Sequence, residues 1–406
     1  MVHPPSMIDS YVSPGDTHKY YRIKGRFMLI LRRASLAESG NIISEMLRTL
    51  RFRPKQGSTI LIKPNLCAIH PRSHGEITDP LITEAVVRFL LGYGCRVIIG
   101  ETDKLGPADK DYTFWDVIRN SGYAYLDAID GVRIVNLDQD TFVTRRAGNV
   151  SIRIPKTLHD ADHYINIPKM KTHWQTQVTI GLKNQMGVID ENARMHFHRD
   201  GLDKHIAHLA RVLRPDLTIV DGIIAMQGQG PHWGKAVRMG IIVGGDDILE
   251  VDTCCCALMG IDPNDVKHLL SAWKHKVGSW CSDTTLIESH RHPLTHAVEK
   301  PLRKGDICVW QQDGHGCSGC GRAIEQITHS RNPLRLLKLL RSLLLKKTHF
   351  VLGRVSREDE LTHKLDGRTI CVGDCTKAFA QKHGHKFVPG CPPTSQKVAK
   401  RFYTES

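Results

Sequence analysis

Short apolar runs rich in Ile, Val and Leu alternate with amphipathic segments along the first 300 residues, and this alternation restricts the chain to few folds. The run at 58–66 ends in Pro and Asn, residues 80–89 follow behind Asp79 with helical spacing, and residues 95–101 form a second buried run. Strand, helix and strand at this spacing are typical of a parallel sheet with right-handed crossovers. The sequence therefore predicts an α/β fold with a mostly parallel sheet and helices on both faces.

A change of composition near residue 300 predicts a second domain. Residues 1–300 carry the strand and helix pattern, whereas residues 301–406 are rich in Gly, Cys, His and Lys and are expected to form a small Cys-rich iron–sulfur domain. The chain has 406 residues, of which 41% are hydrophobic and 24% charged. This composition excludes a disordered or fibrous protein and is sufficient for two cores.

One helix is predicted in more detail near the end of the first domain. The segment from Asp247 to Met259 has helical spacing, and Asp247 is expected to cap it. Asp252 is expected to face solvent. The consecutive cysteines at 254–256 cannot bind one ion together from a helix, because neighbouring side chains point about 100° apart, and are expected to pack in the core.

The charge of the chain is unevenly distributed. The net charge is +14, and residues 301–406 hold 19 basic and 9 acidic residues. No zinc-finger or RNP pattern is present, so we expect no nucleic-acid partner and favour an acidic redox protein of the ferredoxin or flavodoxin type. A basic leucine-rich helix is predicted at 334–347 and is expected to pack in the core between the two halves of the cluster site. Weak contact of this helix with a membrane surface is the alternative. The chain lacks an export signal and any run of ~18 apolar residues, which predicts a cytoplasmic protein without a transmembrane segment.

Lysines and asparagines follow three of the predicted strands. Ligands of open parallel sheets bind at the carboxyl ends of the strands, so side chains in these loops are expected to converge there. Converging ammonium groups would bind a carboxylate or phosphate, although each lysine could instead simply be solvated. The predicted binding residues in these loops are Lys63, Asn65, Lys169, Lys171, Lys183 and Asn184.

Two further features complete this predicted site. A strand is expected to end at Asp221 and Gly222, and the following loop offers the amides of Gly228 and Gly230 to an anion. Its glycine spacing lacks the third glycine of a dinucleotide-binding fingerprint. His173 or His198, together with Lys171, could exchange protons with the bound molecule.

The C-terminal cysteines are spaced like metal ligands. Cys317 and Cys320 form a C-x-x-C pair, and Cys375 and Cys391 would complete four thiolates, enough for a [4Fe-4S] cluster or a tetrahedral zinc ion. One pair with two remote cysteines and a Cys-Pro sequence favours the cluster, with zinc and unligated thiols as alternatives. Cys375 is preferred to Cys371, which ends an apolar run. The other seven cysteines, including Cys67, are expected to be small buried hydrophobic residues.

Six motifs lie in order along the first domain: KPNL at 63–66, TDP at 78–80, IPKMKTH at 167–173, TIGLKNQMG at 179–187, IVDGI at 219–223 and GQGP at 228–231. Together they resemble the family catalogued as domain of unknown function 362, over about residues 55–300. The resemblance implies an α/β architecture, and members of that family often carry iron–sulfur ligands beside this domain. The cysteine loops separately resemble the cluster-binding elements of the small subunit of nickel–iron hydrogenases and its complex I counterpart, although Cys375 and Cys391 are only 16 residues apart.

These patterns predict an iron–sulfur redox enzyme that acts on an anionic small molecule in a lysine-lined crevice. The alternatives are a non-enzymatic electron carrier or cluster-delivery protein, and a binding module stabilised by zinc.

Overall fold

A computed structural model provides the structure of the chain, which divides into two compact units. The first comprises residues 1–104, 113–193 and 203–297, and the second comprises residues 105–112, 194–202 and 298–406. The second unit thus takes two short segments from within the predicted first domain. The structure describes residues 9–11, 19–23, 27–67, 72–103, 113–173, 175–231, 233–281, 303–304, 307–311, 324, 348–352, 355, 358–363, 365, 368–390, 393, 397–398 and 400–401.

The first unit is built on an eleven-stranded sheet, and a separate hairpin is formed by β7 and β8. The sheet order is β1-β2-β3-β13-β12-β9-β4-β5-β6, and β10 pairs with β12 and β11. The strands are β1 (Asp9–Tyr11), β2 (Lys19–Ile23), β3 (Phe27–Arg33), β4 (Thr59–Pro64), β5 (Arg96–Glu101), β6 (Val132–Asn136), β7 (Phe142–Ala147), β8 (Val150–Pro155), β9 (His163–Ile167), β10 (Lys169–His173), β11 (Gln177–Thr179), β12 (Leu217–Gln229) and β13 (Trp233–Gly245).

The predicted α/β fold is confirmed. The central strands β12, β9, β4, β5 and β6 pair in parallel, whereas β1, β2, β3 and β13 extend the sheet as antiparallel strands. The helices are α1 (Ser39–Thr49), α2 (Pro80–Leu91), α3 (Phe114–Asn120), α4 (Lys156–Asp160), α5 (Gly181–Asn184), α6 (Glu191–Arg199), α7 (Leu202–Val212), α8 (Ile248–Leu258) and α9 (Lys267–Lys274). The expected cap of α2 is present, since the Asp79 side chain accepts a hydrogen bond from the amide of Leu81.

Two segments that were expected to be loops are strands. Residues 169–173 form β10, and the strand expected to end at Asp221 continues to Gln229 as β12. A register shift between Gly222 and Ile224 lets β12 continue past the glycine while it stays paired with β13. Asp221 can lie inside the sheet because its carboxylate is paired with a buried lysine. The predicted strand end at Asp221 and Gly222 was therefore wrong.

The described part of the second unit is also a sheet. Strands β15 to β18 pair in parallel in chain order, with β14 antiparallel at one edge. Cys371 is fully buried in an apolar cluster with Val351 and Phe379, as its position in an apolar run predicts. The elements are β14 (Arg303–Lys304), β15 (Ile307–Gln311), β16 (Thr348–Leu352), α10 (Glu358–Thr362), β17 (Arg368–Val372), α11 (Lys377–Lys382) and β18 (Lys386–Val388).

Among the residues that the structure describes, no helix is both long and apolar enough to cross a membrane. The leucine-rich helix predicted at 334–347 lies outside the described residues.

Helix α8 connects the sheet to the short helix α5. Asp247 caps α8, and the cysteines at 254–256 are fully buried, both as predicted. The expectation that Asp252 faces solvent was wrong. Its buried carboxylate accepts hydrogen bonds from the amides of Gly181 at 2.7 Å and Leu182 at 2.8 Å, which begin α5. Burial raises the pKa of Asp252 to about 7 even though both hydrogen bonds favour the charged form.

Replacing Asp252 should destabilise the first unit. In Asp252→Ala the two amides that begin α5 lose their acceptor inside the protein, and we expect the free energy of unfolding to fall by about 2–4 kcal/mol. The measurement is urea denaturation. Asp160→Ala is the control, because this exposed carboxylate makes surface contacts with Lys156 and His159, and its loss should leave the free energy of unfolding nearly unchanged. Equal losses in the two variants would show that Asp252 does not anchor α5.

Candidate functional site

The side-chain carboxamide of Asn184, the last residue of α5, lies at the centre of a buried polar network. Its Oδ1 accepts hydrogen bonds from Lys63 Nζ at 3.0 Å and from Asn65 Nδ2 at 2.8 Å. Its Nδ2 donates to Asn166 Oδ1 at 2.8 Å. These contacts join β4, the loop after β4, β9 and α5, so the sequence motifs around residues 63 and 184 meet in space as predicted.

Lys63 is held by a buried carboxylate. Its Nζ lies 2.5 Å from Glu101 Oε2 at the end of β5, and the two side chains are 1% and 7% exposed. The amide of Thr102 also donates to Glu101. Burial lowers the pKa of Lys63, and the attraction of Glu101 acts in the opposite direction. Glu101 was not predicted from the sequence as part of the site. It is the last residue of β5, and Lys63 is the last residue but one of the neighbouring strand β4.

A glycine allows this ion pair to form. A Cβ atom on Gly187, in the turn after α5, would lie 1.9 Å from Glu101 Oε1 and 2.5 Å from Lys63 Cε. Any larger residue at this position must displace the pair.

Lys171 lies among neutral acceptors. Its Nζ donates to Asn65 Oδ1 and to the backbone oxygen of Glu76, both at 2.8 Å, and to Cys67 Sγ at 3.1 Å. Cys67 was expected to be a buried hydrophobic residue, and this was wrong, because its half-buried thiol contacts an ammonium group. Burial raises the pKa of Cys67, while the charge of Lys171 acts to lower it.

Lys169 belongs to a separate ion pair. Its Nζ lies 2.7 Å from Asp221 Oδ2, and both side chains are buried. The same carboxylate oxygen accepts a hydrogen bond from the amide of Asp79 at the start of α2. Lys63 and Lys169 therefore have carboxylate partners inside the protein, so the expectation of four lysines open to a ligand is corrected by the structure.

Lys183 differs from the other three lysines. Its side chain is half-buried, and among the described residues its Nζ makes no hydrogen bond or ion pair. Burial, together with the charge of Lys171, lowers the pKa of Lys183 to about 7, while Cys67 and Asp203 act in the opposite direction. Lys183 is thus the member of the predicted set that is accessible and has no fixed partner in the described structure.

The glycine amides that were predicted to bind an anion, and the histidines that were predicted to exchange protons with it, lie outside the polar network around Asn184. The amide of Gly230 donates to the backbone oxygen of Gly228 at 2.8 Å, so it is not directed at a ligand. The buried ring of His173 accepts hydrogen bonds at Nδ1 from the amides of Gln175 and Thr176. His198 lies in α6 within the second unit.

One of the four predicted cluster ligands lies in the described part of the chain. Cys375 is half-buried in the turn between β17 and α11. This turn is hydrogen-bonded to the loop that precedes Cys391: Asp374 N donates to Gly390 O at 3.1 Å, and Gly390 N donates to Asp374 Oδ1 at 2.8 Å. Cys317, Cys320 and Cys391 lie outside the described residues.

Comparison with known proteins supports the family resemblance. Residues 60–257 match the family described as "Domain of unknown function (DUF362)", which confirms the resemblance for this segment. The segment contains all the network residues from Lys63 to Asp252, whereas the four predicted cluster ligands lie beyond it.

Two individual proteins are similar to this chain. The thylakoid-associated protein sll1697 of Synechocystis sp. is 28% identical over 279 residues, which cover 65% of this chain and 84% of that protein. The solved structure of the lactate racemase apoprotein from Thermoanaerobacterium thermosaccharolyticum aligns with a TM-score of 0.39 and 12% identity, over 95% of this chain and 91% of that one.

The tight contact at Gly187 can be tested directly. In Gly187→Ala the added methyl group collides with Glu101 and Lys63, and we expect a loss of about 2–4 kcal/mol in the free energy of unfolding, since a buried charge would lose its partner. Gly40→Ala is the matched control. A Cβ at Gly40, in the first turn of α1, meets no atom within 4 Å, so that variant should be neutral or slightly stabilised. Similar stability of both variants would contradict the assigned role of Gly187.

Proposed function

We propose that this protein is an iron–sulfur redox enzyme that binds an anionic small molecule at Lys171 and Lys183. The observation that carries the anion site is a charge imbalance. In the described part of the chain, neither ammonium group has a carboxylate within ion-pair distance, whereas Lys63 and Lys169 both do.

An anion would correct this imbalance. Lys171 donates only to an amide oxygen, a backbone oxygen and a thiol, and these neutral groups solvate its charge without neutralising it. Placing cations in a poorly hydrated region is unfavourable unless negative charge is supplied nearby. Since Lys183 and Cys67 are both half-buried, solvent reaches this part of the network. A small carboxylate or phosphate is therefore the ligand class that fits.

In this proposal the second unit of the chain binds the cofactor. Cys317, Cys320, Cys375 and Cys391 would hold a [4Fe-4S] cluster, which transfers one electron at a time. The mutual hydrogen bonds of Asp374 and Gly390 support this ligand set, because they fix the turn of Cys375 beside the residue that precedes Cys391. Half-buried Cys375 fits the role of a ligand better than Cys371, whose thiol is enclosed by apolar side chains.

An electron carrier or cluster-delivery protein without its own reaction is the second candidate. The internal pairing of Lys63 and Lys169 favours it, because this pairing leaves fewer charges for a substrate. In either case the excess of basic residues in 301–406 would attract an acidic redox protein. The proposed location is cytoplasmic, and the name of the Synechocystis relative adds contact with a membrane surface as a further proposal.

Anion binding should depend on pH. The pKa of Lys183 is lowered to about 7, so its ammonium form, which attracts anions, is lost as the pH rises through this value. Calorimetric titration with malonate should therefore show weaker binding at pH 8.5 than at pH 6.5. Lys183→Met should weaken binding at pH 6.5 by about tenfold and remove most of the pH dependence. The exposed Lys267→Met is the control and should bind as the unaltered protein does. Unchanged binding in Lys183→Met would rule out this site.

The cluster proposal makes a separate prediction about two neighbouring cysteines. Purified without oxygen, the protein should contain about four iron atoms per chain and absorb broadly near 400 nm. Cys375→Ser should lose most of the iron, because a cluster ligand is removed. Cys371→Ala should retain it, since Cys371 packs in the core. The reverse result would identify Cys371 as the third ligand, and a stoichiometric zinc content would favour the zinc-stabilised module.

A further inference from the structure

We propose that Lys183 is a nucleophile that forms an imine with the carbonyl group of a small 2-oxo acid, whose carboxylate is bound by the Lys171 ammonium group. This inference rests on the proposed anion site and names its substrate class.

The first argument is the availability of the amine. A lysine reacts with a carbonyl group only through an unprotonated nitrogen with a free lone pair. The ammonium groups of Lys63 and Lys169 lie 2.5 Å and 2.7 Å from buried carboxylates, and these ion pairs hold both amines in place. Lys183 Nζ has no such partner in the described part of the chain, and its side chain is half-buried rather than enclosed.

The second argument is the neighbouring cation. Lys171 is fixed by its contacts with Asn65, Glu76 and Cys67, and its charge disfavours a second ammonium group nearby. Burial and this repulsion lower the pKa of Lys183 to about 7, so about half of its amine is neutral near pH 7. A desolvated lysine beside another cation is a recognised form of activated amine. The same cation would attract the carboxylate of the incoming molecule.

The third argument is the rigidity of the backbone that carries Lys183. The preceding residues, Gly181 and Leu182, donate their amides to the buried carboxylate of Asp252. The following residue, Asn184, is held by Lys63 and Asn65. Lys183 is therefore the half-buried residue of a short helix that is anchored on both sides. Such anchoring fixes the backbone from which the Lys183 side chain extends and so limits the positions that the amine can reach, which favours attack on a bound carbonyl group.

The reaction balances without an oxidant or reductant. The amine nitrogen bonds to the carbonyl carbon, and the electron pair of the C=O π bond moves to oxygen, which takes up a proton. The nitrogen loses a proton to give a carbinolamine. The hydroxyl group then leaves as water together with the remaining N–H proton, and the nitrogen lone pair forms the C=N bond. The products are one imine and one water molecule.

Reductive trapping of the full chain with pyruvate tests the inference. Cyanoborohydride delivers hydride to the C=N bond and converts an imine into a stable secondary amine, which mass spectrometry of proteolytic peptides locates. We expect one pyruvate adduct, on Lys183. At pH 7 the neutral fraction of Lys183 exceeds that of an ordinary lysine by roughly a thousandfold, so trapping at exposed Lys267 should be at least tenfold slower.

Three variants sharpen the test. Lys183→Arg keeps the positive charge but cannot form an imine, and it should lose the adduct. Lys267→Arg should retain the adduct on Lys183. Lys171→Met should raise the pyruvate concentration needed for half-maximal trapping, because the carboxylate loses its cation.

Malonate binding tests the anion site separately from the imine, since malonate is an anion without a ketone group and cannot form an imine with Lys183. If malonate binds in a Lys183-dependent manner and pyruvate leaves no adduct on Lys183, the imine is excluded and the anion site stands. If malonate binding does not depend on Lys183 and pyruvate also leaves no adduct on Lys183, both the anion site and the imine are excluded. An equal adduct in Lys183→Arg, located on another lysine, would also overturn the imine.

Discussion

The charge of Lys63 is the constraint on which the polar interior of the first unit depends. An ammonium group inside a sheet is tolerated only if it is paired and its hydrogen-bonding capacity is used. Glu101 supplies the counter-charge, and Asn184 and the backbone oxygen of Pro64 accept the remaining hydrogen bonds. Asn184 in turn sets the position of Asn65, whose oxygen accepts a hydrogen bond from Lys171. The arrangement around Lys171 and Lys183 therefore follows from the burial of one charge at the end of β4.

The sequence was informative where structure is determined locally. The caps of α2 and α8 are formed by Asp79 and Asp247, whose short side chains bond to amides two residues ahead. The burial of the cysteines at 254–256 agrees with the apolar character of the free thiol, which usually packs as a small hydrophobic side chain. The alternation of strands and helices was likewise sufficient for the α/β fold. The pairing of strands β1 to β3 with each other and with β13 could not be predicted from this alternation, because antiparallel pairing of these segments is a non-local choice.

Buried polar residues were harder to predict, because their partners are distant in sequence. Asp221 and Asp252 look like solvent-exposed residues until Lys169 and the amides of α5 are placed against them. Strand-end lysines were identified as a group, but sequence alone did not separate the paired ones from Lys183. The signal that was available is the position of Glu101 at the end of a buried run. A carboxylate at the carboxyl end of one parallel strand is a natural counter-ion for a lysine at the end of its neighbour.

The pairing of Lys63 with Glu101 also has an evolutionary consequence. Losing either partner alone strands a charge in the interior, whereas replacing both by apolar residues of similar volume removes the charge and its counter-charge together. A stepwise change from the ion pair to two apolar residues would therefore pass through a single variant whose folded state is destabilised by an unpaired buried charge. Positions 63 and 101 should behave as a single heritable unit, conserved as a pair or exchanged as a pair, even though 38 positions separate them.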